Sequence, residues 1–296
     1  MNDEKIDALE LLASEWIDYA LLDSGSGRKL EQYGEYRFIR PEAQAIWQPA
    51  DDSLWKNADA LFIPQRSESG GYWKLTHPIK KSWQMHYKDL NFKAETTGGR
   101  HLGIFPEQAV HWDWIAEVIQ AANQPVQVLN LFGYTGLATL ASAKAGAQVT
   151  HVDASKKAVR WAKENQHLSG LDGYPIRWIV DDALKYIKRE IKRGVTYDGI
   201  ILDPPRFGRG PGGETWKFFD LLPPLLSACR SVLSEHPLFI VITAYAVPMS
   251  AISLKSVVQE KMAGLAGKYQ AGELILREES AQRLISTAIF VRWQAE

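Results

Sequence analysis

The chain has 296 residues, of which 46% are hydrophobic and 23% charged, and its formal net charge is -1. This composition excludes a disordered chain, and any contact with nucleic acid would need a local basic patch. The single cysteine, Cys229, excludes an intramolecular disulfide and a cysteine-rich metal cluster. The acidic first residues lack a signal-peptide pattern, and no apolar stretch is long enough to span a bilayer. We expect a cytoplasmic protein that uses neither a membrane nor a metal ion.

The first part of the chain is rich in tryptophan and lacks a regular alternation of strands and helices. Seven of the 11 tryptophans precede residue 126. We expect a short helix within the first forty residues, and the short alternating runs of residues 72–105 predict a β-rich module. We therefore divide the chain into an N-terminal β-rich module, residues 1–109, with a role in substrate recognition, and a second domain, residues 110–296.

From residue 126 onward, strand and helix patterns alternate. Strands are predicted at 126–132, 147–153 and 176–182, at a run ending at Asp203, and at 238–245. Helices are predicted at 137–146, after a cap at Ser155, up to about Arg193, through 226–233 and near 251–262. Two closing strands, 270–278 and 283–293, leave no room for a helix between them and should pair antiparallel. This order predicts an α/β fold with a doubly wound, mostly parallel sheet and an antiparallel C-terminal hairpin.

A glycine turn joins the first strand of this region to its first helix, in the sequence NLFGYTG, residues 130–136. Gly133 and Gly136 allow the backbone to pass close to a ligand, and the helix N terminus offers free N–H groups to an anion. Glycine turns of this kind also occur for packing reasons alone.

Acidic residues end the next three predicted strands, at Asp153, Asp182 and Asp203. Asp153 stands twenty positions after Gly133, which is the separation expected of an acid that binds a ribose hydroxyl. Asp153 or Asp182 taken singly could instead cap the helix that follows. All three beside the glycine turn predict a crevice that recognises a nucleoside and a positively charged group.

Two prolines follow Asp203 directly. Each proline restricts the residue before it to extended conformations, and neither offers an N–H group. The sequence Asp203-Pro204-Pro205 therefore predicts a stiff corner with a carboxylate and bare carbonyl oxygens. Parallel sheets place their ligands at such strand ends.

Four motifs, NLFGYTG, VDAS, VDDA and DPPRF in this order, resemble those of class I S-adenosylmethionine-dependent methyltransferases. The branch they most resemble contains the bacterial enzymes that modify large-subunit ribosomal RNA. The similarity spans about residues 100–296. It implies S-adenosylmethionine as the cofactor and RNA, ribosomal RNA above all, as the substrate.

The resemblance also implies roles for individual residues. The methionine part of the cofactor would be wrapped by Phe132, Gly133, Tyr134, Thr135 and Gly136. Asp153 with Ala154 would hold the ribose hydroxyls, Asp182 with Ala183 would meet the adenine edge, and Asp203 with Pro204 would border the methyl group.

The segment HLGIFPEQ, residues 101–108, resembles the stretch that closes over the cofactor in this branch. That stretch usually ends in Asp-Gln-Arg, whereas this chain has Glu107 and Gln108 with no arginine after them. Gln108 is still predicted as a cofactor contact.

The acceptor is predicted to be a nitrogen or oxygen atom. Relatives that methylate carbon 5 of cytosine need a cysteine after the fifth strand, where this chain has Ala244 and Tyr245. Cys229 lies in a predicted helix and is expected in the core. The catalytic candidates are Asp203, Pro204, Pro205 and Phe207. The carbonyls of the corner would accept a hydrogen bond from an exocyclic amine. Phe207 would stack on a flipped base or, alternatively, cover the end of the sheet.

RNA contacts are predicted at residues 72–100 and at the loop 203–210. Between residues 71 and 101 six basic residues stand against two acidic ones, with aromatic residues interleaved. Basic and stacking groups on a β surface suit single-stranded or flipped RNA. The alternative is an ordinary half-buried sheet with a solvated lysine face.

Two other classes of function compete with methyl transfer. A nicotinamide-dependent oxidoreductase also uses a glycine turn and a later acid, but its fingerprint needs a third glycine and gives no reason for Asp-Pro-Pro. A non-catalytic RNA-binding protein on the same fold would have no need of the complete acidic set.

Overall fold

The computed structural model describes residues 9–65 and 70–296. Its N-terminal part consists mainly of strands: β1 (Glu10–Leu12), β2 (Tyr19–Gly25), β3 (Arg28–Tyr33), β4 (Tyr36–Pro41), the one-turn helix α1 (Asp52–Trp55), β5 (Ala60–Pro64) and β6 (Gly71–Leu75). Strands β2 to β6 form one five-stranded sheet in chain order. The short helix expected in the first forty residues is absent from residues 9–40.

The turn-rich sequence DSGSGRK covers the end of β2, the connecting residues Ser26 and Gly27, and the start of β3. Ser26 and Gly27 both have a positive φ, of 51° and 73°, as a tight hairpin requires. Tyr19 and Leu21 on β2 and Leu30 on β3 are buried. Tertiary packing of this hairpin accounts for strands here, and the part of the helix prediction that falls on residues 1–8 lies outside the described residues.

A separate antiparallel hairpin follows, formed by β7 (Ser82–Tyr87) and β8 (Leu90–Glu95). A short 3-10 turn, Pro106–Gln108, then leads into α2 (Ala109–Ala121). The β-rich character predicted for residues 72–105 is thus confirmed.

The remaining elements alternate as predicted. They are β9 (Gln127–Leu131), α3 (Leu137–Lys144), β10 (Gln148–Asp153), α4 (Lys156–Leu168), β11 (Ile176–Val180), α5 (Ala183–Arg193), β12 (Gly199–Leu202), β13 (Phe207–Arg209), β14 (Thr215–Lys217), α6 (Phe218–Ser231), β15 (Phe239–Ala244), α7 (Ala251–Lys261), β16 (Lys268–Arg277) and β17 (Leu284–Gln294). The small antiparallel hairpin of β13 and β14 was not predicted.

The main sheet has the order β1-β16-β17-β15-β12-β9-β10-β11. Strand β9 pairs in parallel with both β10 and β12, whereas β17 is antiparallel to β15 and β16. The predicted doubly wound sheet and closing hairpin are confirmed. The chain runs outward in opposite directions on the two sides of β9, so a crevice opens at the carboxyl ends of β9 and β12.

The core of the second half lies around the central strands and the helices α5, α6 and α7. Leu129, Ile200 and Ile240 on β9, β12 and β15 are at most 1% exposed. Cys229 on α6 belongs to the same cluster and is fully buried, and burial raises the pKa of its thiol. The prediction that Cys229 is a core residue is confirmed.

The N-terminal part packs closely on the main sheet. Strand β1 extends that sheet by pairing in parallel with β16. The backbone N–H groups of Glu279 and Ser280 donate to the carbonyls of Leu21 and Leu22 on β2. The division between residues 109 and 110 stays a prediction. In residues 9–65 and 70–296, no helix combines the length and apolar character needed to cross a membrane.

Candidate active site

The glycine turn between β9 and α3 has an unusual backbone. Phe132 and Tyr134 have positive φ angles of 60° and 48°, and Gly136 has one of 85°. Residues other than glycine rarely adopt this conformation, and it costs about 1–3 kcal/mol at each position. Strained backbone of this kind is concentrated at ligand sites, which supports the prediction that the turn faces a ligand.

Both glycines of the turn are also required by packing. A Cβ atom on Gly133 would lie 2.4 Å from the His151 ring, and one on Gly136 would lie 2.8 Å from the Cβ of Ala162. His151 is held under the turn by Thr139, whose Oγ1 lies 2.9 Å from its Nδ1. Close packing thus explains the two glycines as well as ligand binding does. The other residues of the crevice are needed to distinguish these explanations.

Asp153, at the end of β10, holds the glycine turn through a hydrogen bond. Its Oδ2 accepts a hydrogen bond from the backbone N–H of Tyr134 at 2.9 Å, and its Oδ1 accepts one from Ser155 at 2.7 Å. Burial raises its pKa. A carboxylate has about four lone-pair positions, so Asp153 keeps acceptor capacity for two hydroxyl groups. Ala154, the next residue, is half-buried.

Asp182 has a structural role at the start of α5. Its Oδ1 accepts a hydrogen bond from the backbone N–H of Lys185 at 2.9 Å, which makes it the N-cap of that helix. Ala183 is 4% exposed and belongs to the hydrophobic core. Asp182 therefore caps the helix, as the alternative interpretation predicted. The contacts of Asp182 and Ala183 with the adenine edge stay predictions.

Asp203 lies directly after β12, at the crevice. Gln108 donates a hydrogen bond from Nε2 to its Oδ2 at 3.3 Å, which brings together two predicted site residues that are 95 positions apart. Burial raises the pKa of Asp203 to about 8, and the nearby carboxylates of Glu107 and Asp153 contribute to this shift. In the described residues no lysine or arginine contributes to this shift.

Glu107 and Tyr245 complete this side of the crevice. Glu107 is only 5% exposed, and burial raises its pKa against the opposing effects of Lys29 and Arg40. The pKa of the Tyr245 phenol is raised by burial and by the carboxylates of Glu107 and Asp203. The sequence motifs assigned no role to either residue. Their position before α2 and after β15, at the same sheet edge as Asp203, is the signal that would have found them.

The Asp-Pro-Pro corner differs from the prediction in one respect. Pro204 is buried and Pro205 is exposed, but the carbonyl oxygen of Pro205 is not bare. It accepts a hydrogen bond from Trp216 Nε1 at 2.6 Å, and the next carbonyl, of Arg206, accepts one from the backbone N–H of Phe218. The unpredicted hairpin supplies the first donor, and the start of α6 supplies the second.

Trp216 connects the corner to the glycine turn. It is 3% exposed, and its ring lies edge-on to Phe132 with the centroids 4.9 Å apart. The same side chain therefore contacts both sides of the crevice. Its indole N–H is used within the protein, so it packs as a structural link between the two motifs.

Phe207, on β13, points a large apolar surface toward solvent. It is 56% exposed, and Phe219 at the start of α6 is 49% exposed. Three cationic residues of the hairpin, Arg206, Arg209 and Lys217, are also exposed. An aromatic and basic surface thus lies beside the corner.

The basic and aromatic residues of the segment 72–100 are segregated. Trp83, Tyr87 and Phe92 are at most 7% exposed and lie in the hydrophobic core. Lys88 and Lys93 form ion pairs with Asp113 and with Glu95 and Glu164. Tyr72 on β6 is 53% exposed. The rest of the segment matches the alternative of a half-buried sheet with a solvated lysine face, because strand alternation turns Trp83, Tyr87 and Phe92 inward.

A cavity of about 50 Å³ joins Gln108, residues 132–136 and Asp203. The segment before α2 covers it, because Thr135 Oγ1 donates to the Gly103 carbonyl at 2.7 Å and the rings of Phe105 and Tyr134 are in contact. Ligand pockets occupy about 300–1,000 Å³. A nucleoside-sized ligand therefore requires this segment to move outward. A larger cavity, of about 470 Å³, lies by Trp114 and Arg292, near the opposite edge of the sheet.

The groups around the crevice match the parts of S-adenosylmethionine. The start of α3 offers backbone N–H groups to a carboxylate, Asp153 has free lone pairs for ribose hydroxyls, and the carboxylates near Asp203 suit a positively charged sulfur. Together with the sheet order, this arrangement defines a nucleotide-cofactor enzyme of the methyltransferase class.

Comparison with known families agrees with this class. A family model described as S-adenosylmethionine-dependent methyltransferase matches residues 7–233, and the chain belongs to that family. S-adenosylmethionine is therefore its cofactor, and the nicotinamide-dependent oxidoreductase is set aside.

Two solved structures are similar to this chain, at different levels of sequence identity. The chain is similar to an S-adenosylmethionine-dependent methyltransferase from Agrobacterium tumefaciens, at 47% identity, with 98% of this chain and 95% of that one covered and a TM-score of 0.94. It shares its fold with SMU.776 in complex with SAH, at 21% identity, 95% and 76% coverage and a TM-score of 0.72.

The ribosomal RNA large subunit methyltransferase K/L of Shewanella frigidimarina is 38% identical over 117 residues. That match covers 39% of this chain and 16% of the relative. The chain therefore matches only a small part of that relative's length.

Proposed function

We propose that this methyltransferase acts on a nitrogen or oxygen atom of RNA, with ribosomal RNA as the first candidate. The observation that carries the proposal is the exposed Phe207 beside Asp203, flanked by the exposed cations Arg206 and Arg209. A base swung out of an RNA strand needs an aromatic surface to stack on and cations for its phosphates. The name of the Shewanella relative supports ribosomal RNA, and action there would make the enzyme cytoplasmic.

The cofactor would be held across the crevice. Residues 132–136 and Gln108 would bind its methionine part, Asp153 with Ala154 the ribose, and Asp182 with Ala183 the adenine. When bound, S-adenosylmethionine supplies a methyl group on an already activated, positively charged sulfur.

The chain's own residues then have to align the acceptor, because the leaving group needs no further activation. The carbonyls of Asp203 and Pro204 would accept a hydrogen bond from an exocyclic amine, and the Asp203 carboxylate would contribute electrostatic stabilisation. Pro205 contributes by stiffening the corner, since its carbonyl is bonded to Trp216. Phe207 would hold the base by stacking.

A nitrogen or oxygen acceptor is favoured over carbon 5 of cytosine. Cysteine-dependent chemistry needs an accessible thiolate. Cys229 is fully buried in the core, and burial raises the pKa of its thiol. After β15 the chain continues with Tyr245 instead of a cysteine.

RNA contacts are proposed at two places. The loop 203–210 would bind the target base and its neighbours. The N-terminal module, residues 1–109, would contribute recognition through the cationic face of residues 72–100. Trp83, Tyr87 and Phe92 of that segment are buried, whereas Tyr72 is 53% exposed. The contribution of the segment would therefore be mainly electrostatic and sensitive to salt.

The test is mass spectrometry of nucleosides from ribosomal and transfer RNA of a deletion strain. We expect one methylated nucleoside to be missing and to return with the wild-type gene or with Asp172→Asn, an exposed control, but not with Asp203→Ala. A complete set of RNA methyl marks in the deletion strain would contradict an RNA substrate. Restoration by Asp203→Ala would favour a role independent of catalysis.

A further inference from the structure

The glycine turn between β9 and α3 depends on support from neighbouring elements. Phe132 and Tyr134 have positive φ angles, and such backbone persists only where its surroundings fix it. Strand β10 supplies part of the support. The Val152 carbonyl accepts a hydrogen bond from the backbone N–H of Gly133 at 3.1 Å, and Asp153 accepts one from the backbone N–H of Tyr134. The end of the turn, at the start of α3, is held from another side.

Asn165, on α4, holds this end of the turn. Its side-chain Nδ2 donates a hydrogen bond to the carbonyl oxygen of Thr135 at 2.9 Å, and the residue is 1% exposed. A peptide unit is planar, so the direction of the Thr135 carbonyl also sets the direction of the Gly136 N–H. Gly136 is the N-cap of α3 and has a φ of 85°. The Asn165 amide therefore fixes the peptide at which the turn becomes the helix.

The other end of the same amide is bonded to the N-terminal part of the chain. Oδ1 of Asn165 accepts a hydrogen bond from the backbone N–H of Lys93, on β8, at 2.9 Å. Exchange of the two amide atoms would set an NH2 group against this N–H and an oxygen against the Thr135 carbonyl, so the side chain fits in one orientation. Asn165 thus connects the hairpin of β7 and β8 to the glycine turn.

The hairpin is a firm base for this connection. Trp161, four residues before Asn165 on α4, donates from Nε1 to the Lys93 carbonyl at 3.1 Å. Ser169, four residues after Asn165, accepts at Oγ from the Asn91 N–H at 3.1 Å and donates to the Asn91 carbonyl at 2.7 Å. Residues four apart lie on the same face of a helix. Side chains on this face of α4 therefore bond to the edge of β8, as a neighbouring strand would.

We infer that Asn165 is a positioning residue for the cofactor, which holds the glycine turn in the conformation that binds S-adenosylmethionine. This inference rests on the proposed placement of the methionine part of the cofactor at residues 132–136. With the turn fixed, the first N–H groups of α3 are oriented before the cofactor carboxylate arrives. Without the bond to Thr135, the strained turn relaxes and has to be ordered again at each binding event, which lowers affinity.

The next residue of the helix offers a matched control. Gln166 is 9% exposed, its Nε2 donates to the Leu171 carbonyl at 2.9 Å, and its Oε1 accepts from Trp178 Nε1 at 3.1 Å. It is a buried amide that bonds to one carbonyl and one N–H group, as Asn165 does. The carbonyl that it holds belongs to the loop after α4 instead of the glycine turn.

The test compares Asn165→Asp with Gln166→Glu in the full chain. Each substitution keeps the shape and the acceptor oxygen, and each sets a carboxylate oxygen against a carbonyl in place of the donating amide. Thermal unfolding should show that both variants are less stable than the wild type. In calorimetry, only Asn165→Asp should bind S-adenosylhomocysteine more weakly, by about tenfold, as expected for one lost hydrogen bond.

Steady-state kinetics separates positioning from a role in the reaction. In Asn165→Asp, KM for S-adenosylmethionine should rise about tenfold, and kcat at saturating cofactor should stay within about twofold of the wild-type value. Asn165→Ala and Gln166→Ala allow the same comparison without a buried charge, should the carboxylate variants not fold.

The outcomes distinguish this inference from the function on which it rests. Wild-type affinity in a folded Asn165 variant would overturn the inference and leave the cofactor site in place. An equal loss of affinity in the Gln166 variant would also overturn it, because affinity would then follow general stability. A folded wild-type protein that does not bind S-adenosylhomocysteine would contradict the placement of the cofactor itself.

Discussion

Within residues 9–65 and 70–296, two acidic clusters differ in the hydrogen bonds and the cation that surround their carboxylates. The first consists of Asp23, Glu278 and Arg283 and joins the N-terminal sheet to the C-terminal hairpin. Both carboxylates are fully buried, and Arg283 Nη2 lies 3.2 Å from Asp23 Oδ1 and 2.6 Å from Glu278 Oε1. Asp23 also accepts hydrogen bonds, including one from Trp55 Nε1 at 2.7 Å, and its pKa falls to about 2.

At the crevice, the carboxyl groups of Glu107, Asp153 and Asp203 show the opposite behaviour, because the pKa of each is raised. Burial and the neighbouring carboxylates raise the pKa of Asp203 to about 8. Burying a charge is costly unless it is paired. The first cluster meets this requirement within the protein and holds two parts of the chain together. At the crevice the cost is avoided in another way, because the raised pKa keeps Asp203 protonated at neutral pH.

The largest effect is expected from removing the cation of the first cluster. Arg283→Met should lower the free energy of unfolding by about 3–5 kcal/mol, because it leaves two buried carboxylates without their partner. Urea denaturation measures the loss. Arg277→Met, at an exposed position of the same region, should change stability by less than about 0.5 kcal/mol. Equal effects of the two variants would show that Arg283 is not the compensating charge.

In the crevice, removal of an acid should affect activity instead. Asp203→Ala should reduce the rate of methyl transfer at least about a hundredfold, through lost alignment and electrostatics. Cys229→Ser should retain activity, because the buried thiol takes no part in the reaction. Single-turnover kinetics with the identified acceptor would compare them. A folded but inactive Cys229→Ser, beside an active Asp203→Ala, would reverse the mechanism and make the corner a scaffold.

Asp153 should affect cofactor binding more than catalysis. If its free lone pairs take the ribose hydroxyls, Asp153→Ala should weaken binding of S-adenosylmethionine by about 2 kcal/mol and leave the fold intact. Calorimetry with the wild type and with Asp172→Ala as a control gives the difference. Unchanged affinity would mean that Asp153 serves only the Tyr134 and Ser155 N–H groups.

The smallest effect tests the comparison most specifically, because an Asp→Asn substitution should destabilise the protein in one cluster and stabilise it in the other. The lowered pKa of Asp23 contributes stability above about pH 4 that is lost as the pH falls toward 2, so Asp23→Asn should destabilise the protein at pH 8. Because the pKa of Asp203 is raised to about 8, the unfolded chain ionises this group above about pH 4 while the folded protein keeps it protonated. This difference destabilises the folded protein as the pH rises from about 4 to 8. Asp203→Asn should therefore stabilise the protein at pH 8 by about 1 kcal/mol. Thermal unfolding at pH 8 would measure both, and destabilisation by both would refute the contrast.

The sequence predicted the regular elements well because their signals are local. The strands from β9 to β15, their helices and the closing hairpin follow from apolar runs and caps, and Asp203 was located because two prolines follow it. The features that were missed depend on distant contacts. Trp216 bonds to Pro205 through a hairpin with weak strand character, and Glu107 acts electrostatically on Asp203, which is distant in the chain. No helix forms in residues 9–40, because hairpin packing determines the structure there.

A crystal structure of the protein with S-adenosylhomocysteine tests the central claim most directly. We predict the ligand in the crevice, with the segment 101–108 moved outward from its contact with Thr135. The ribose hydroxyls should lie within hydrogen-bonding distance of Asp153, and the sulfur should face Asp203 and Glu107. A ligand bound instead in the cavity by Trp114 and Arg292, with no contact to the glycine turn, Asp153 or Asp203, would contradict the account.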